Sequence, residues 1–285
     1  MKKITKIHLL YIAGGVFLFV LILLAPNMDS ESRKAIAESS ATHQHAAPHD
    51  HSDGQAPVKT DARLEKSEAI LSIEEELAAA ENPDKKIQIL DSLIKISIRE
   101  KNPPLVAHYT EQKAILSPSV DNWFAAGDNY FKAYRLTDGK HANLIKEAVE
   151  SYQKVLEIDP RNVAAETALG VAYVEGAADL GEMPMKGIGM LLNILEKNPN
   201  NVNVLTNLGY FAIQSGQFEQ AIERFEKILE LDPRNAEAYL YLTDVYVRMG
   251  EKGKAIENLE KYKSFVDDPL VEQQVDRYIE DIKNK

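Results

Sequence analysis

The chain contains no cysteine. Disulfides, thiolate metal sites, thiol catalysis and attachment of a lipid to cysteine are all excluded. That absence fits an oxidising, extracytoplasmic compartment. Also missing are a Gly-rich phosphate loop, a Gly-x-Ser-x-Gly elbow and a His-Glu-x-x-His pair. Positive charge is scarce as well: 33 Lys and Arg stand against 44 Asp and Glu, a formal net charge of −11. With Lys2, Lys3 and Lys6 set aside, the remainder carries about −14. A surface of that sign argues against nucleic acid and anionic lipid as direct partners. No cofactor is expected, and the chain does not read as an enzyme.

What is present begins with Met-Lys-Lys-Ile-Thr-Lys and an apolar run, Ile7–Ala25. Its 19 residues span about 28 Å as a helix, close to the roughly 30 Å core of a bilayer. A cleaved signal peptide has a shorter apolar core and small residues before the cut. Here leucines occupy that place, at Leu23 and Leu24. The spacing therefore predicts an uncleaved signal anchor, with residues 1–6 cytoplasmic and everything after Ala25 outside. In a bacterium this places a single-pass protein in the inner membrane with its C-terminal part in the periplasm.

Residues 26–60 are poor in large apolar side chains and rich in Ser, Ala, His, Asp and Pro, the composition of a flexible tether. Four of the seven histidines fall in its stretch His43-Gln-His-Ala-Ala-Pro-His-Asp-His-Ser-Asp53. His43, His45, His49 and His51 are candidate ligands for Zn²⁺, Cu²⁺ or Ni²⁺. Ligating imidazoles are normally oriented by a second layer of hydrogen bonds. A tether offers none, so the tract reads first as linker. A helix is expected over 61–81, capped by Asp61, with Leu64, Ile70, Leu71, Leu77 and Ala78 on one face.

The remainder repeats itself. Pro199 and Pro233 are 34 residues apart, as are Gly216 and Gly250, and Ala221 and Ala255. Each window pairs a helix carrying a small residue with a second helix ending near Asn- or Asp-Pro. Trp123, Gly127 and Tyr130 share a fixed spacing, with Ala126 before the glycine; Leu169, Gly170 and Tyr173 repeat its last three positions. The unit 202–235 carries Leu205, Leu208, Gly209, Ala221, Phe225 and Pro233; the unit 236–269 carries Tyr239, Leu242, Tyr246, Ala255 and Leu259. This pattern resembles the tetratricopeptide repeat, whose unit is 34 residues. The resemblance implies an all-α solenoid of antiparallel helix pairs over 61–285. Its repeats would be 120–162, 163–201, 202–235 and 236–269, with a degenerate repeat at 84–118 and a capping helix at 269–283. The first two full repeats are nine and five residues too long, with the excess between their paired helices.

In this family the first helix of each pair lines a groove that takes peptides. The resemblance puts Phe124, Asp128 and Phe131 there, flanked by Asp121 and Lys132. It adds Thr167 and Val171, with Glu175. It then places Asn203, Thr206, Asn207, Tyr210 and Gln214, with Ile213, and last Tyr241, Asp244 and Arg248, with Glu237. The family's Lys/Arg-and-Asn clamp for a chain-terminal carboxylate is missing, which turns the expectation to a ligand with apolar and basic residues. The function that follows is a membrane-anchored scaffold or adaptor for a protein or peptide in envelope assembly. In layout the chain also resembles the repeat subunits of cytochrome c maturation. Two other readings remain open: metal handling through the histidine tract, and self-assembly into a homo-oligomer.

Overall fold

The structure, a computed structural model, describes residues 66–137 and 141–284. The apolar run, the tether and its histidines lie outside them, and so does Asp61. Among the described residues every regular element is a helix: α1 (Glu68–Ala79), α2 (Pro83–Arg99), α3 (Pro103–Leu116), α4 (Val120–Leu136), α5 (Ala142–Ile158), α6 (Val163–Glu175), α7 (Ala177–Leu180), α8 (Pro184–Lys197), α9 (Val202–Gln214), α10 (Phe218–Leu231), α11 (Ala236–Met249), α12 (Lys252–Lys263) and α13 (Pro269–Asn284). They divide into two compact units, one reaching to Val204 and one from Leu205.

Ser67 caps α1, its hydroxyl accepting from the Ile70 amide at 3.3 Å. The buried face of α1 runs through Ile70, Ile73, Leu77 and Ala80, a spacing of three to four residues. Leu71 and Ala78, expected on that face, are exposed instead, because each lies one residue, about 100° of turn, past a face position. Ile70 packs with Ile89, Leu90 and Leu93 of α2 and with Leu105 and Tyr109 of α3 in one core. Each later helix of this unit then packs on its predecessor, with α8 lying on α6.

The link between repeats is a recurring tetrapeptide: Asp159-Pro-Arg-Asn162, Asn198-Pro-Asn-Asn201 and Asp232-Pro-Arg-Asn235. Its last residue opens the next helix. Asn162, Asn201 and Asn235 accept from the amides of Ala165, Val204 and Ala238 at 3.0, 3.2 and 2.9 Å. Each satisfies one of the amides a helix start leaves unpaired. In two of the links the first residue accepts from the amide two places on, at Arg161 (3.2 Å) and Arg234 (3.1 Å). Asn162→Ala is therefore expected to lower stability by about 1 kcal/mol, and Asn162→Asp to retain most of it, as read by urea denaturation.

Small residues set the distance between paired helices. A Cβ added at Gly209 of α9 would lie 2.6 Å from the ring of Phe225 in α10, which is fully buried. α6 and α8 come closer still. A Cβ at Gly187 would lie 2.2 Å from the carbonyl oxygen of Gly170 and 2.9 Å from the Val174 nitrogen. Gly187 stands 34 residues before Ala221, and Leu191 stands 34 before Phe225, so this pair fills the small and large positions of its repeat. The extra residues of 163–201 form the single turn α7, closed by the left-handed Gly181. Tyr134 of α4 holds that turn, donating to Asp179 at 2.8 Å.

Candidate partner-binding face

In the unit that ends at Val204, the residues expected on the lining are mostly engaged in packing. Phe124 lies against the ring of Tyr152, centroids 5.7 Å apart. Asp128 accepts the Tyr152 hydroxyl at 2.8 Å, fixing the large residue of α5 against α4. Phe131 is buried, and the Arg135 guanidinium covers its ring at 4.3 Å. Arg135 also pairs with both carboxylate oxygens of Glu175, which ties α4 to α6. Thr167 and Val171 are each 6% exposed, and the Thr167 hydroxyl donates to the Val163 carbonyl within its own helix at 2.7 Å. Neither offers a ligand a polar group, and only Asp121 and Lys132 of this set are well exposed.

The unit that begins at Leu205 brings more together. Thr206, Asn207 and Tyr210 are half-buried on α9, with Gln214 exposed at its end and Ile213 buried. On α11, Glu237, Tyr241, Asp244 and Arg248 recur at three to four residues, so they share one helical face. The Tyr210 and Tyr241 rings are 6.4 Å apart and tilted by 59°. Behind them Tyr241 stacks on Phe225 at 4.7 Å. At 7% exposure Tyr241 is a floor under this face rather than a projecting anchor. Arg248 reaches back one turn to Asp244 at 3.1 Å. Asn203, which belongs to the other unit, is exposed.

Burial tunes two groups here. It raises the Glu237 carboxyl to about 7, against the hydrogen bond from Tyr241, which pulls it down. It raises Tyr278 of α13 to about 12, with Asp244 and Asp281 adding to the effect and Arg248 opposing it. Tyr278 therefore lies within electrostatic reach of Asp244 and Arg248 on α11. Among the described residues no group of three or more His, Asp or Glu could hold a metal ion. Among them, too, no helix is long and apolar enough to cross a membrane.

The sequence pattern did not single out the asparagines of the links or the Gly187–Leu191 pair. Both carried a signal: the first in an Asp/Asn-Pro-x-Asn pattern that occurs three times, the second in a 34-residue offset from Ala221 and Phe225.

Comparison with known proteins agrees with the pattern. Tetratricopeptide-repeat family models match residues 212–273, 190–223 and 141–162. A 94-residue stretch, 32% of this chain, is 32% identical to RNA polymerase-associated protein CTR9 of Saccharomyces cerevisiae. It spans 8% of that protein's length. Among solved structures, MamA 41-end from Desulfovibrio magneticus RS-1 is 18% identical, with a TM-score of 0.45 over 63% of this chain and 94% of that one. A further crystal structure of MamA protein is 18% identical, with a TM-score of 0.43 over 63% and 91%. The chain contains tetratricopeptide repeats, and such repeats imply a protein-interaction scaffold.

Proposed function

We propose that this repeat array is a membrane-anchored, extracytoplasmic adaptor that holds an extended protein or peptide segment on the α9–α11 face. One observation carries the binding part: rings of Tyr210 and Tyr241 side by side, with half-buried Thr206 and Asn207 about one turn before Tyr210 on the same helix. Aromatic rings give contact area at low entropic cost, and side-chain amides can pair with a peptide backbone. The anchor rests on the apolar run Ile7–Ala25 and its flanking lysines. A tether of about 35 residues spans roughly 30–35 Å, which keeps the array near partners in the same membrane and raises their effective concentration. No reaction centre is part of the proposal.

Tyr210→Ala is expected to weaken partner binding about tenfold and to change thermal stability little, because Tyr210 is only half-buried. Equal binding by wild type and variant contradicts the assignment of this face. A C-terminal alkaline phosphatase fusion tests the topology and is expected to be active in intact cells. The paired His-x-His spacing favours a second reading, metal capture by residues 43–53. Calorimetry with Zn²⁺ on the chain with and without those residues separates the two. If partners in cells survive the deletion unchanged, the metal reading loses.

A further inference from the structure

The α11 face contains one polar atom that nothing among the described residues satisfies. The Oε1 atom of Glu237 is buried and has no hydrogen-bond partner among the described residues. An unsatisfied buried acceptor costs on the order of 1–3 kcal/mol, and more when it is charged. Among the described residues no lysine or arginine pairs with it, although the same helix face places a cation beside an acid at Asp244 and Arg248. Glu237 as a whole is only partly covered. A ligand therefore approaches the carboxyl from its uncovered side, and reaching the orphaned oxygen requires rotation about the Glu237 side-chain bonds. One turn on, Tyr241 lies on the same face, with Tyr210 beside it at 6.4 Å.

We propose that Glu237 receives a lysine or arginine side chain of the bound peptide, whose aliphatic stem lies along Tyr210 and Tyr241. This rests on the α9–α11 reading and specifies its ligand. Charge complementarity chooses the occupant. A chain of net charge −11 attracts cationic segments, and a desolvated carboxylate with a spare acceptor gains most from a charged donor. A neutral donor would satisfy the oxygen but not the charge. Long cationic side chains also suit the aromatic floor, because their methylene stems pack on rings while the head stays polar. The proposal has a thermodynamic signature. Free Glu237 is partly protonated near pH 7, and an arriving cation favours the carboxylate. Binding therefore releases a proton, and affinity rises with pH up to about 7 and then levels.

The test uses the full chain and two capped pentapeptides, Leu-Ala-Lys-Ala-Leu and the same peptide with norleucine for lysine. NMR follows the Glu237 carboxyl carbon and the Tyr210 and Tyr241 rings; calorimetry in two buffers of different ionisation enthalpy counts protons. The lysine peptide is expected to bind at least tenfold tighter than the norleucine peptide, to move the Glu237 titration to lower pH, and to release a proton. Glu237→Gln is expected to bind both peptides alike. If both bind wild type equally at the tyrosines, the cation site is wrong and the face stands. If neither perturbs the tyrosines, both ideas fall. The titration in wild type keeps the test decisive whatever the variant does to folding.

Discussion

Gly187→Ala is expected to lower the stability of the chain by about 3 kcal/mol, whereas Gly189→Ala, two residues along the same helix, raises it by about 0.5–1 kcal/mol. The chemistry of the two substitutions is identical. Alanine is the better helix former at both sites, since glycine loses more backbone freedom when the helix forms. The surroundings decide the sign. Nothing lies within 4 Å of a Cβ at Gly189. At Gly187 the new methyl meets the Gly170 carbonyl oxygen at 2.2 Å, the Val174 side chain at 2.7 Å and its backbone nitrogen at 2.9 Å. Backbone atoms cannot rotate aside, so α6 and α8 must part. Leu191, fully buried and packed against Gly170, then loses contacts on one side. Urea denaturation of the two variants reads the difference directly. A loss at both sites, or at neither, contradicts the close approach of these helices.

Glu237→Gln is the second large effect, and its sign depends on pH. Burial holds the folded-state carboxyl at about 7, above its ordinary value of 4.5. The folded state therefore binds the proton more tightly than the unfolded one. Stability from this group is complete below about pH 4.5, declines as pH rises through about 7, and stays lost above it. A glutamine has no such dependence. The variant should gain on wild type steadily between pH 5 and 7.5 and then hold a constant advantage. Each tenfold in proton affinity is about 1.4 kcal/mol, so the gain by pH 8 is on the order of 2–3 kcal/mol. The slope is the readout, since the amide also leaves a buried polar atom and shifts all points together. Parallel curves for the two proteins would mean that Glu237 is solvated.

The repeat was legible because its spacing is carried by the residues whose size matters most. Ala221 and Ala255 recur at a 34-residue offset because two helices cannot approach otherwise, and Gly209 against Phe225 meets the same need within one pair. The same logic extends to Gly187 and Leu191. There glycine takes the place of alanine, so the small position is filled by a different residue and only the offset identifies it. Helix starts were harder to read. Proline marks where a helix ends, but the residue that opens the next helix is an asparagine two places later, and one cap looks much like any polar link residue. Ser67, which caps α1, is one of several polar residues that could cap there, and the packing of Ile70 on α2 and α3 sets the frame.

The binding face was legible in direction and not in depth. The resemblance assigns a helix face by register, so it names Thr167, Val171, Tyr210 and Tyr241 alike. Exposure depends on what the neighbouring helix places against each side chain. Stacking on Phe225 covers Tyr241, and close packing covers Val171, while Tyr210 keeps part of its surface. Nor does register reveal that Asp128 spends a carboxylate oxygen on Tyr152, or that Glu237 has one left over. Those facts follow from side-chain geometry.

The central claim is that a partner lies on the first helices of the repeats. Photo-crosslinking in native membranes tests it most directly. A photoreactive residue is placed at Thr206 or Gln214 of α9, and, as a comparison, at the exposed Glu219 or Glu223 of α10. The account predicts a discrete crosslinked product from the α9 positions that is lost with Tyr210→Ala, and none of matching yield from α10. Crosslinks of equal yield from both helices, or from α10 alone, would contradict it.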